Sequence, residues 1–348
     1  MIFQRLDYIF HNGHNSRLVY MLRSFARYAV PKALLRRRLT SLLGELRSRA
    51  DKEYILSRVD YYNKLASPPR PCGSSNRQAD LCRGHALGEF TYRRRPKPTA
   101  YFFDAYEYTR YFSDGLRWHY LFGDVTHVPD VPSIVKSRPV GGDNACSVLL
   151  NLDKNRHFCF LHDRIRFEDK TDRLIFRAYI SHKPHRIRFF ERYFDHPMCD
   201  LGECDPACHD YPAWHKPKIS FYAQLRYKFI LALEGNDVAT NLKWIMSSNS
   251  IAVMPRPRYE TWFMEGRLIP DYHYIAIRDD YSDLEERLQY YIDHPDKARE
   301  IVAHANEYIR QFADSRRERL ISLLTLDKYF SATDPDYRSP AESGMQRH

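Results

Sequence analysis

The sequence predicts an α/β fold built on a parallel sheet, and three observations in its C-terminal third support that prediction. Short apolar runs with the length of strands occur at residues 228–233, 250–254 and 272–277. Apolar residues between and after these runs recur at helical spacing. Polar turns follow the runs, and in open parallel sheets ligands bind at such turns, outside the carboxyl ends of the strands.

The first two runs form a predicted strand–helix–strand unit. The run KFILAL at 228–233 leads into Glu234-Gly235, a turn whose glycine permits close approach of a ligand to the backbone. Residues 238–246 contain neither proline nor glycine and are predicted to be helical. The second run, SIAVM, is followed by Pro255, which is expected to end the strand.

Further elements follow towards residue 312. Residues 272–277 are predicted to form a third strand, and Ser282-Asp283-Leu284-Glu285 has the pattern of a capping box that opens a helix. That helix stops before Pro295, and apolar residues up to Phe312 predict another helix. The segment therefore predicts half of a doubly wound fold.

The composition is that of a folded protein with two domains. The chain has 348 residues, of which 43% are hydrophobic and 28% charged. No apolar run approaches the ~18 to 20 residues that a membrane-spanning helix needs. The first residues, MIFQRLDYIF, lack the pattern of a signal peptide, so a cytoplasmic location is expected.

A basic arm is predicted at residues 1–65. The net charge is +10, and residues 16–50 contain nine Arg or Lys against one acidic residue, Glu45. Apolar residues are interleaved with these cations, and Pro31 breaks the pattern. Such basic amphipathic helices are typical of proteins that lie on anionic membranes. A solvated basic face and a nucleic-acid-binding role remain open as alternatives.

The remaining organisation is predicted as follows. Residues 66–170 form one α/β domain, which begins with a linker at 67–95 and turns strand-like from Thr99 before a helix ending near Phe112. Short strands are expected at 120–122 and 133–135. Residues 171–330 form a second α/β domain, and 331–348 a disordered tail.

The seven cysteines predict reduced thiols, because their number is odd and no signal peptide is recognised. The densest group contains His196, Cys199, Cys204, Cys208 and His209. Its Cys-x4-Cys-x3-Cys-His spacing is not a standard zinc pattern, so a polar loop is the favoured interpretation.

Several runs carry a resemblance to a known family. KFILALEGNDVATNLKWIMSSNSIAVMPRPRYETWF and the later LIPDYHYIAIRDDYSDLEERLQYYIDHP resemble the donor domain of the CAP10-like glycosyltransferases, family 90. The upstream runs GDVTHVPDVPSIVKSRP and LIFRAYISHKPHRIRFFERYFDHP fit the same family in the same order. The resemblance covers roughly residues 100 to 312, and bacterial lipopolysaccharide glycosyltransferases are the most similar members.

The resemblance implies a GT-B-like enzyme with two Rossmann-type domains, the first on the acceptor side and the second binding the donor. It implies transfer of a hexose from a UDP-sugar to a core saccharide of lipopolysaccharide or lipooligosaccharide, on a lipid-anchored acceptor. The basic arm would then hold the enzyme at the cytoplasmic face of the inner membrane. No nucleic-acid partner is expected.

By the same resemblance, six residues are assigned to donor binding: Arg177, Arg186, Glu234, Gly235, Asn241 and Lys243. Arg177 and Arg186 correspond to basic residues that contact the diphosphate, although Ala178 stands where the family usually has glycine. Asn241 and Lys243 are expected at a helix N-terminus, which favours anions. A solvated cluster of cations is the alternative interpretation for the arginines.

The catalytic base is less well marked. In the family an Asp follows an Arg shortly after a Pro-Asp pair; Pro129-Asp130 and Arg138 fit, but Pro139 occupies the place of the Asp. The candidate bases are therefore Asp130, Asp143 and Asp163. One carboxylate suffices for an inverting transferase, because it has only to deprotonate the acceptor hydroxyl.

No metal or other cofactor is predicted, since no Asp-x-Asp follows a strand in the donor region and Asp279-Asp280 precedes a predicted helix cap. The chain also lacks the glycine-rich loops of dehydrogenases and NTPases. Two rival functions remain open. One is a non-catalytic membrane-surface scaffold, motivated by Pro139, and the other is a basic nucleic-acid-binding protein.

Overall fold

The computed structural model describes residues 13–66, 84–90 and 93–343. Its α-helices in chain order are α1 (Arg17–Ala29), α2 (Lys32–Gly44), α3 (Lys52–Tyr62), α4 (Thr99–Thr109), α5 (Lys154–His157), α6 (Pro184–Tyr193), α7 (Phe221–Gln224), α8 (Leu242–Met246), α9 (Leu284–Asp293), α10 (Pro295–Arg310), α11 (Ser315–Thr333) and α12 (Pro340–Ser343). Short 3-10 turns occur at Glu45–Ser48, Leu87–Glu89, Phe167–Asp169, Pro212–Trp214 and Glu265–Arg267.

The strands are short, apart from one of eight residues. In chain order they are β1 (His85–Ala86), β2 (Arg117–Trp118), β3 (Tyr120–Leu121), β4 (Ser133–Val135), β5 (Ser137–Pro139), β6 (Ser147–Leu149), β7 (Thr171–Ala178), β8 (Cys199–Glu203), β9 (Tyr227–Leu231), β10 (Ile251–Met254), β11 (Tyr259–Thr261) and β12 (Ile275–Ala276).

The chain forms two compact units. The five-strand unit comprises residues 155–257 and 266–311 together with the described residues before 16. The three-strand unit comprises the described parts of 16–154, 258–265 and 312–348. The predicted boundary near residue 170 therefore lies at 154/155, and α11 belongs to the three-strand unit instead of the donor domain. Here the helix contacts α3 and α4, and this packing determines its unit.

The five-strand unit contains a parallel sheet with the strand order β8-β7-β9-β10-β12. Numbered by appearance this is the order 2-1-3-4-5, a doubly wound arrangement in which the direction of winding reverses between β7 and β9. Side chains of α6, α9 and α10 share one apolar core with the strands, and this core includes Phe229, Leu231 and Val253. The predicted α/β class with a parallel sheet is confirmed.

Predicted and observed elements differ mainly in length. The third strand is only Ile275–Ala276, because a turn at Asp271 (φ 58°) precedes it, with the Asp271 N–H donating to Tyr274 O. The predicted capping box is not formed. Asp283 is the residue before α9, and Ser282 Oγ instead donates to Asp280 Oδ1 at 2.8 Å.

The three-strand unit contains the parallel sheet β3-β4-β6 and the antiparallel pairs β1/β2 and β5/β11. Thr99–Thr109 is helical, so the strand predicted from Thr99 is wrong. Its aromatic residues suggested a strand, but Phe102, Phe103 and Tyr106 instead form part of a cluster with side chains of α1. Burial around almost the whole helix outweighs the intrinsic preference of aromatic residues for strands.

In its described part, residues 13–65, the predicted basic arm contains α1, α2 and α3, and the predicted break near Pro31 is confirmed. Residues 1–12 of the predicted arm lie outside the described residues. Ser16 caps α1, its Oγ accepting from Val19 N. Within the described residues, none of the helices combines the length and the apolar character needed to span a bilayer. Most of the predicted linker at 67–95 lies outside the described residues.

The expected disorder of 331–348 does not extend to residues 331–343. Tyr337 Oη donates to Asp327 Oδ1 at 2.7 Å, and Ser339 Oγ donates to Asp327 Oδ2 at 2.5 Å. Both contacts attach the end of the chain to α11, in the core of the three-strand unit. The last five residues of the predicted tail lie outside the described residues.

Candidate functional site

The strongest candidate site in the five-strand unit lies where the winding of the sheet reverses. At such switch points the loops after two neighbouring strands part and leave a crevice for ligands. Here the loops are residues 179–183, after β7, and residues 234–237, after β9; we call them the switch loops. Tyr179, in the first, is 43% exposed and lies under the Lys218 ammonium, 4.6 Å from its ring centroid.

Arg186, in the first turn of α6, binds both switch loops. Its guanidinium donates to Tyr179 O at 2.8 Å, Leu233 O at 2.7 Å and Glu234 O at 2.9 Å. Burial lowers the pKa of Arg186 to about 10, so the side chain remains a cation at neutral pH. The sequence therefore folds so that a charged fork is fixed where the two loops meet.

The first switch loop is also held from the side of β8. Glu203 is fully buried at the end of that strand, and its carboxylate accepts from Ile180 N at 2.7 Å and Asp205 N at 2.6 Å. Lys183 Nζ reaches across to Asn236 Oδ1 at 3.1 Å. Among the described residues, the buried Ser181 Oγ has no hydrogen-bond partner, so this fixed loop retains an unused polar group.

Glu203, Ser181 and His185 were not predicted from the sequence. His185 Nε2 lies 2.8 Å from Glu234 O, which makes it a second contact between α6 and the loop after β9. The sequence carries no distinguishing signal for any of the three, because the run CDLGE that ends at Glu203 also contains Asp200 and is not apolar throughout.

The structure brings together three of the six predicted donor residues, Arg186, Glu234 and Gly235. A Cβ placed on Gly235 would lie 3.7 Å from the Arg186 guanidinium, an ordinary contact distance. Glu234 contributes its carbonyl to Arg186 and His185. The contacts between the switch loops therefore include residues that the sequence indicated.

Arg177 is engaged elsewhere. It donates to Asp200 O and to Asp200 Oδ1, both at 2.8 Å, on the neighbouring strand β8. Burial alone would raise the pKa of Asp200, but hydrogen bonds from Lys216, Tyr227 and Arg177 outweigh it and hold the pKa at about 2. Arg177 therefore pairs with a carboxylate between β7 and β8, away from the switch loops.

Asn241 and Lys243 occupy an element that is too short for the expected helix N-terminus. The α8 helix has five residues, and no side chain caps it. Asn241 Nδ2 donates to Leu231 O at 2.8 Å, which satisfies the carbonyl at the end of β9, and the Lys243 side chain is fully buried. Trp244 is also buried and stacks on Phe221, as expected for a packing residue.

The three candidate bases are in different surroundings. In the five-strand unit, Asp163 is buried against Lys170 Nζ at 2.7 Å and also accepts from Ile165 N and Asn249 N, both at 3.0 Å. Asp130 and Asp143 are exposed in the three-strand unit. Asp143 Oδ1 accepts from Ala145 N at 3.1 Å, and no other hydrogen bond to its carboxylate is made by the residues that the structure describes.

The loop around Asp143 is open. Gly141 and Gly142 precede it, Gly142 has φ +80°, and no heavy atom lies within 4 Å of a Cβ placed on either glycine. The neighbouring Lys64 has a lowered pKa because of burial and the Arg138 charge, and Asp143 opposes that shift. Asp143 therefore lies within electrostatic reach of an ammonium group.

The carboxyl ends of the three-strand sheet also carry polar groups. Lys136, after β4, is buried and donates to Asp124 Oδ1 at 2.5 Å. Tyr101 Oη donates to the same oxygen at 3.3 Å. Asn151 follows β6, and its buried Oδ1 has no partner among the described residues. Asp124 is therefore committed to an ion pair.

The cysteines depart in part from expectation. Cys159, Cys199, Cys204 and Cys208 are free thiols, and no group of His, Cys, Asp or Glu within the described ranges has the arrangement of a metal site. Cys146, in contrast, is disulfide-bonded. The prediction that the thiols are reduced is therefore wrong for this cysteine.

Comparison with known proteins identifies the family. The sequence model described as Glycosyl transferase family 90 matches residues 208–318. The O-glucosyltransferase LpsA of Dichelobacter nodosus is 42% identical to this chain over 288 residues, which cover 81% of this chain and 84% of the relative. The chain belongs to glycosyltransferase family 90.

This family 90 chain also resembles a vertebrate protein over a shorter stretch. Protein O-glucosyltransferase 2 of Danio rerio is 29% identical over 92 residues, which are 26% of this chain and 18% of the relative. The predicted family membership is confirmed, and with it the prediction of an enzyme that transfers a sugar. The rival interpretations as a scaffold or a nucleic-acid-binding protein receive no support from these relatives.

Proposed function

We propose that this family 90 glycosyltransferase moves glucose from UDP-glucose to a core saccharide of a lipopolysaccharide or lipooligosaccharide, within a GT-B-like two-domain enzyme. The observation that carries the proposal is the Arg186 cation fixed between the switch loops of a doubly wound sheet. A diphosphate is a dianion, and a fixed positive charge close to it stabilises it. Glucose comes from the name of the O-glucosyltransferase relative, and the type of acceptor is what the family resemblance implies.

On this proposal the donor lies at the switch loops. The diphosphate accepts from backbone N–H groups of the first loop and from the unused Ser181 hydroxyl, close to the positive charge of Arg186. The exposed Tyr179 ring offers a flat apolar surface on which the base or the sugar stacks. As the bond to the anomeric carbon breaks, the Arg186 charge stabilises the negative charge on the leaving UDP.

We propose Asp143 as the base. A base needs an ionised oxygen that the acceptor hydroxyl can reach, and Asp143 is exposed with one oxygen unengaged in an open glycine loop. Asp163 fits less well, because a lysine and two backbone donors already occupy its oxygens. The base takes the hydroxyl proton, the acceptor oxygen attacks the anomeric carbon, and UDP leaves from the opposite face, which inverts the configuration.

We also propose that α1 and α2 bind an anionic bilayer. Six of the thirteen exposed large apolar side chains in the described residues lie between residues 18 and 34, with Leu18 at 70% and Leu22 at 60% exposure. Among the described residues, four neighbouring exposed cations have no partner: Arg17, Arg23, Arg37 and Arg38. A surface of anionic lipids binds apolar side chains that lie beside unpaired cations.

The cytoplasmic leaflet is the proposed location, because it carries such anionic lipids. The disulfide at Cys146 argues in the other direction, since disulfides are rare in reducing compartments. The number of free thiols in protein isolated without reductant tests the proposed location. Seven free thiols support a reducing compartment, and a persistent disulfide contradicts it.

The experiment that tests the transferase function uses UDP-glucose and a lipooligosaccharide acceptor. Binding of UDP-glucose is measured by calorimetry, and UDP release is measured with and without acceptor. Arg186→Ala is expected to weaken donor binding at least about tenfold, because the positive charge close to the diphosphate is lost. Arg188→Ala, which removes an exposed arginine of the same helix, is the matched control and should bind as the parent does.

Arg186 also connects the switch loops, so the thermal unfolding of each variant is measured without ligand. Weak binding by an Arg186→Ala protein that unfolds near the parental temperature supports the proposal. Parental protein that is folded and binds UDP-glucose no better than glucose contradicts it.

A further inference from the structure

A second pocket lies along the same edge of the five-strand sheet. It has a volume of about 480 Å³ and is formed at the carboxyl ends of β10 and β12. Eight residues line it: Arg256, Asp271, Ala276, Ile277, Arg278, Asp279, Asp283 and Arg287. Neighbouring strands are about 4.8 Å apart, so the end of β12 is about 10 Å from the end of β9 at the switch loops. The pocket is therefore separate from the Arg186 contacts.

One wall of the pocket is rigid. Arg287 pairs with Asp271 Oδ1, and its Nε donates to Ala276 O at 3.2 Å. Asp271 Oδ1 also accepts from Ala276 N at 3.2 Å and from Tyr291 Oη at 3.4 Å. The two charges of this wall cancel.

Charged side chains on the rim of the pocket lack strong partners among the described residues. Within the part of the chain that the structure describes, Arg256 and Asp279 make no hydrogen bond or ion pair, and both are exposed. Arg278 makes only a long contact from its guanidinium to Ser282 Oγ, at 3.4 Å. The pocket thus presents one unpaired guanidinium, a second that is weakly engaged, and an unpaired carboxylate.

The residue before β12 also carries a hydroxyl without a partner. Tyr274 is fully buried, and among the described residues its Oη makes no hydrogen bond. Burial raises the pKa of Tyr274 to about 12, with smaller effects from the lining residues Arg256 and Asp271, so the group stays protonated. An unsatisfied buried hydroxyl indicates ordered water or a polar ligand.

The residues that line the pocket favour some classes of ligand over others. They include no aromatic ring, so a nucleobase would have no stacking platform there. A guanidinium binds phosphate or carboxylate through paired N–H donors, whereas an aspartate accepts from hydroxyl groups. The combination of unpaired Arg256 and unpaired Asp279 therefore fits a ligand that has both an anionic group and hydroxyls.

We propose that this pocket binds an anionic sugar unit of the acceptor, with Arg256 and Arg278 on its phosphate or carboxylate and Asp279 on its hydroxyls. The proposal rests on the saccharide acceptor of the proposed function and names the chemical class of that acceptor. The pocket then selects charged saccharides, while the switch loops bind the nucleotide.

The test measures binding of glucose 6-phosphate, glucuronate and uncharged glucose by calorimetry, without donor. The parent is expected to bind both anionic sugars at least about tenfold more tightly than glucose, and the two anions tell whether phosphate or carboxylate is preferred. Arg256→Gln should abolish the preference for anionic sugars over glucose, and Asp279→Asn should weaken the binding of both anionic sugars. Arg310→Gln, an exposed arginine of α10 outside the pocket, should have no effect.

UDP-glucose binding is measured in the same proteins. Unchanged UDP-glucose affinity in Arg256→Gln, together with lost anionic-sugar binding, supports a separate acceptor pocket. Equal losses of both ligands overturn the inference, because the pocket would then belong to the donor site. It is also overturned if the parent does not discriminate between glucose and the anionic sugars. Parental protein that binds anionic sugars through Arg256 but no UDP-glucose contradicts the proposed donor, while the preference of this pocket for anionic sugars is supported.

Discussion

Arg138 and Glu260 form a buried ion pair between the two antiparallel strands β5 and β11. Arg138 Nε donates to Glu260 Oε1 at 2.8 Å, and neither side chain is exposed by more than 2%. The same guanidinium donates to Tyr61 O at 2.7 Å and Ser147 O at 3.1 Å. Arg138, which the sequence placed beside a missing catalytic aspartate, therefore connects four segments of the three-strand unit, so its role is structural.

Removing the negative charge of this pair is expected to destabilise the protein strongly. Glu260→Gln leaves the buried Arg138 cation uncompensated, and breaking such a pair costs about 3–5 kcal/mol. Urea unfolding at neutral pH measures this loss. Asp60→Asn is the control, because Asp60 pairs with Lys328 at 2.7 Å on the surface and should change stability by less than about 1 kcal/mol. Similar losses for both variants would contradict the assignment.

Asp104 should make stability depend on pH between about 4 and 6. Burial raises the pKa of this carboxyl from 3.8 to about 6, although the Lys154 charge opposes the shift. Between pH 4 and 6 the folded state binds more protons than the unfolded state. The contribution of Asp104 to the stability of the fold is therefore fully present below pH 3.8. That contribution is lost as the pH rises through 6.

The change to test is Asp104→Asn, which removes the titratable group and keeps one of the two oxygens that accept from Tyr20 Oη and Lys154 N. Relative to the parent, the variant should gain stability as the pH rises from 4 to 6, on the order of 3 kcal/mol. Denaturant unfolding at pH 4.5, 5.5 and 7 measures the difference. A difference that does not change with pH would show that Asp104 titrates at its ordinary pKa.

Asp143→Asn is expected to lower kcat for transfer by about 100-fold or more, because loss of a general base has that effect. Affinity for UDP-glucose should stay the same, since Asp143 is proposed to act on the acceptor. Asp130→Asn removes another exposed carboxylate of the same unit and should retain activity. If Asp130→Asn were inactive and Asp143→Asn active, the catalytic base would be Asp130 instead.

The double variant Leu18→Gln/Leu22→Gln is expected to bind vesicles of anionic lipid about 100-fold more weakly. Each leucine contributes about 1.5–3 kcal/mol when its side chain leaves water. Vesicle flotation with anionic and zwitterionic lipids measures the effect. Ile269→Gln, at a residue 53% exposed in the five-strand unit, is the matched control. Equal binding by the parent to both lipids would contradict the electrostatic part of the proposal.

The elements that the sequence predicted well are those whose signal is local. The strands at 228–233 and 250–254 were found within two residues of the observed β9 and β10, because continuous apolar runs mark strands buried on both faces. The start of the helix Thr99–Thr109 was predicted to be a strand, since aromatic residues fit a strand or a buried helix equally well. The switch loops were indicated by Glu234 and Gly235, whereas Glu203 and Ser181 gave no comparable signal.

The sequence by itself determined the α/β class, the helical arm broken at Pro31 and the family of the enzyme. Only the tertiary structure decided that β11 and α11 pack in the three-strand unit, and that Arg186, not Arg177, reaches both switch loops. Apolar periodicity is a property of residues a few positions apart. Arg138 and Glu260 are separated by 122 positions and Arg58 and Glu318 by 260, so their pairing depends on how the whole chain packs.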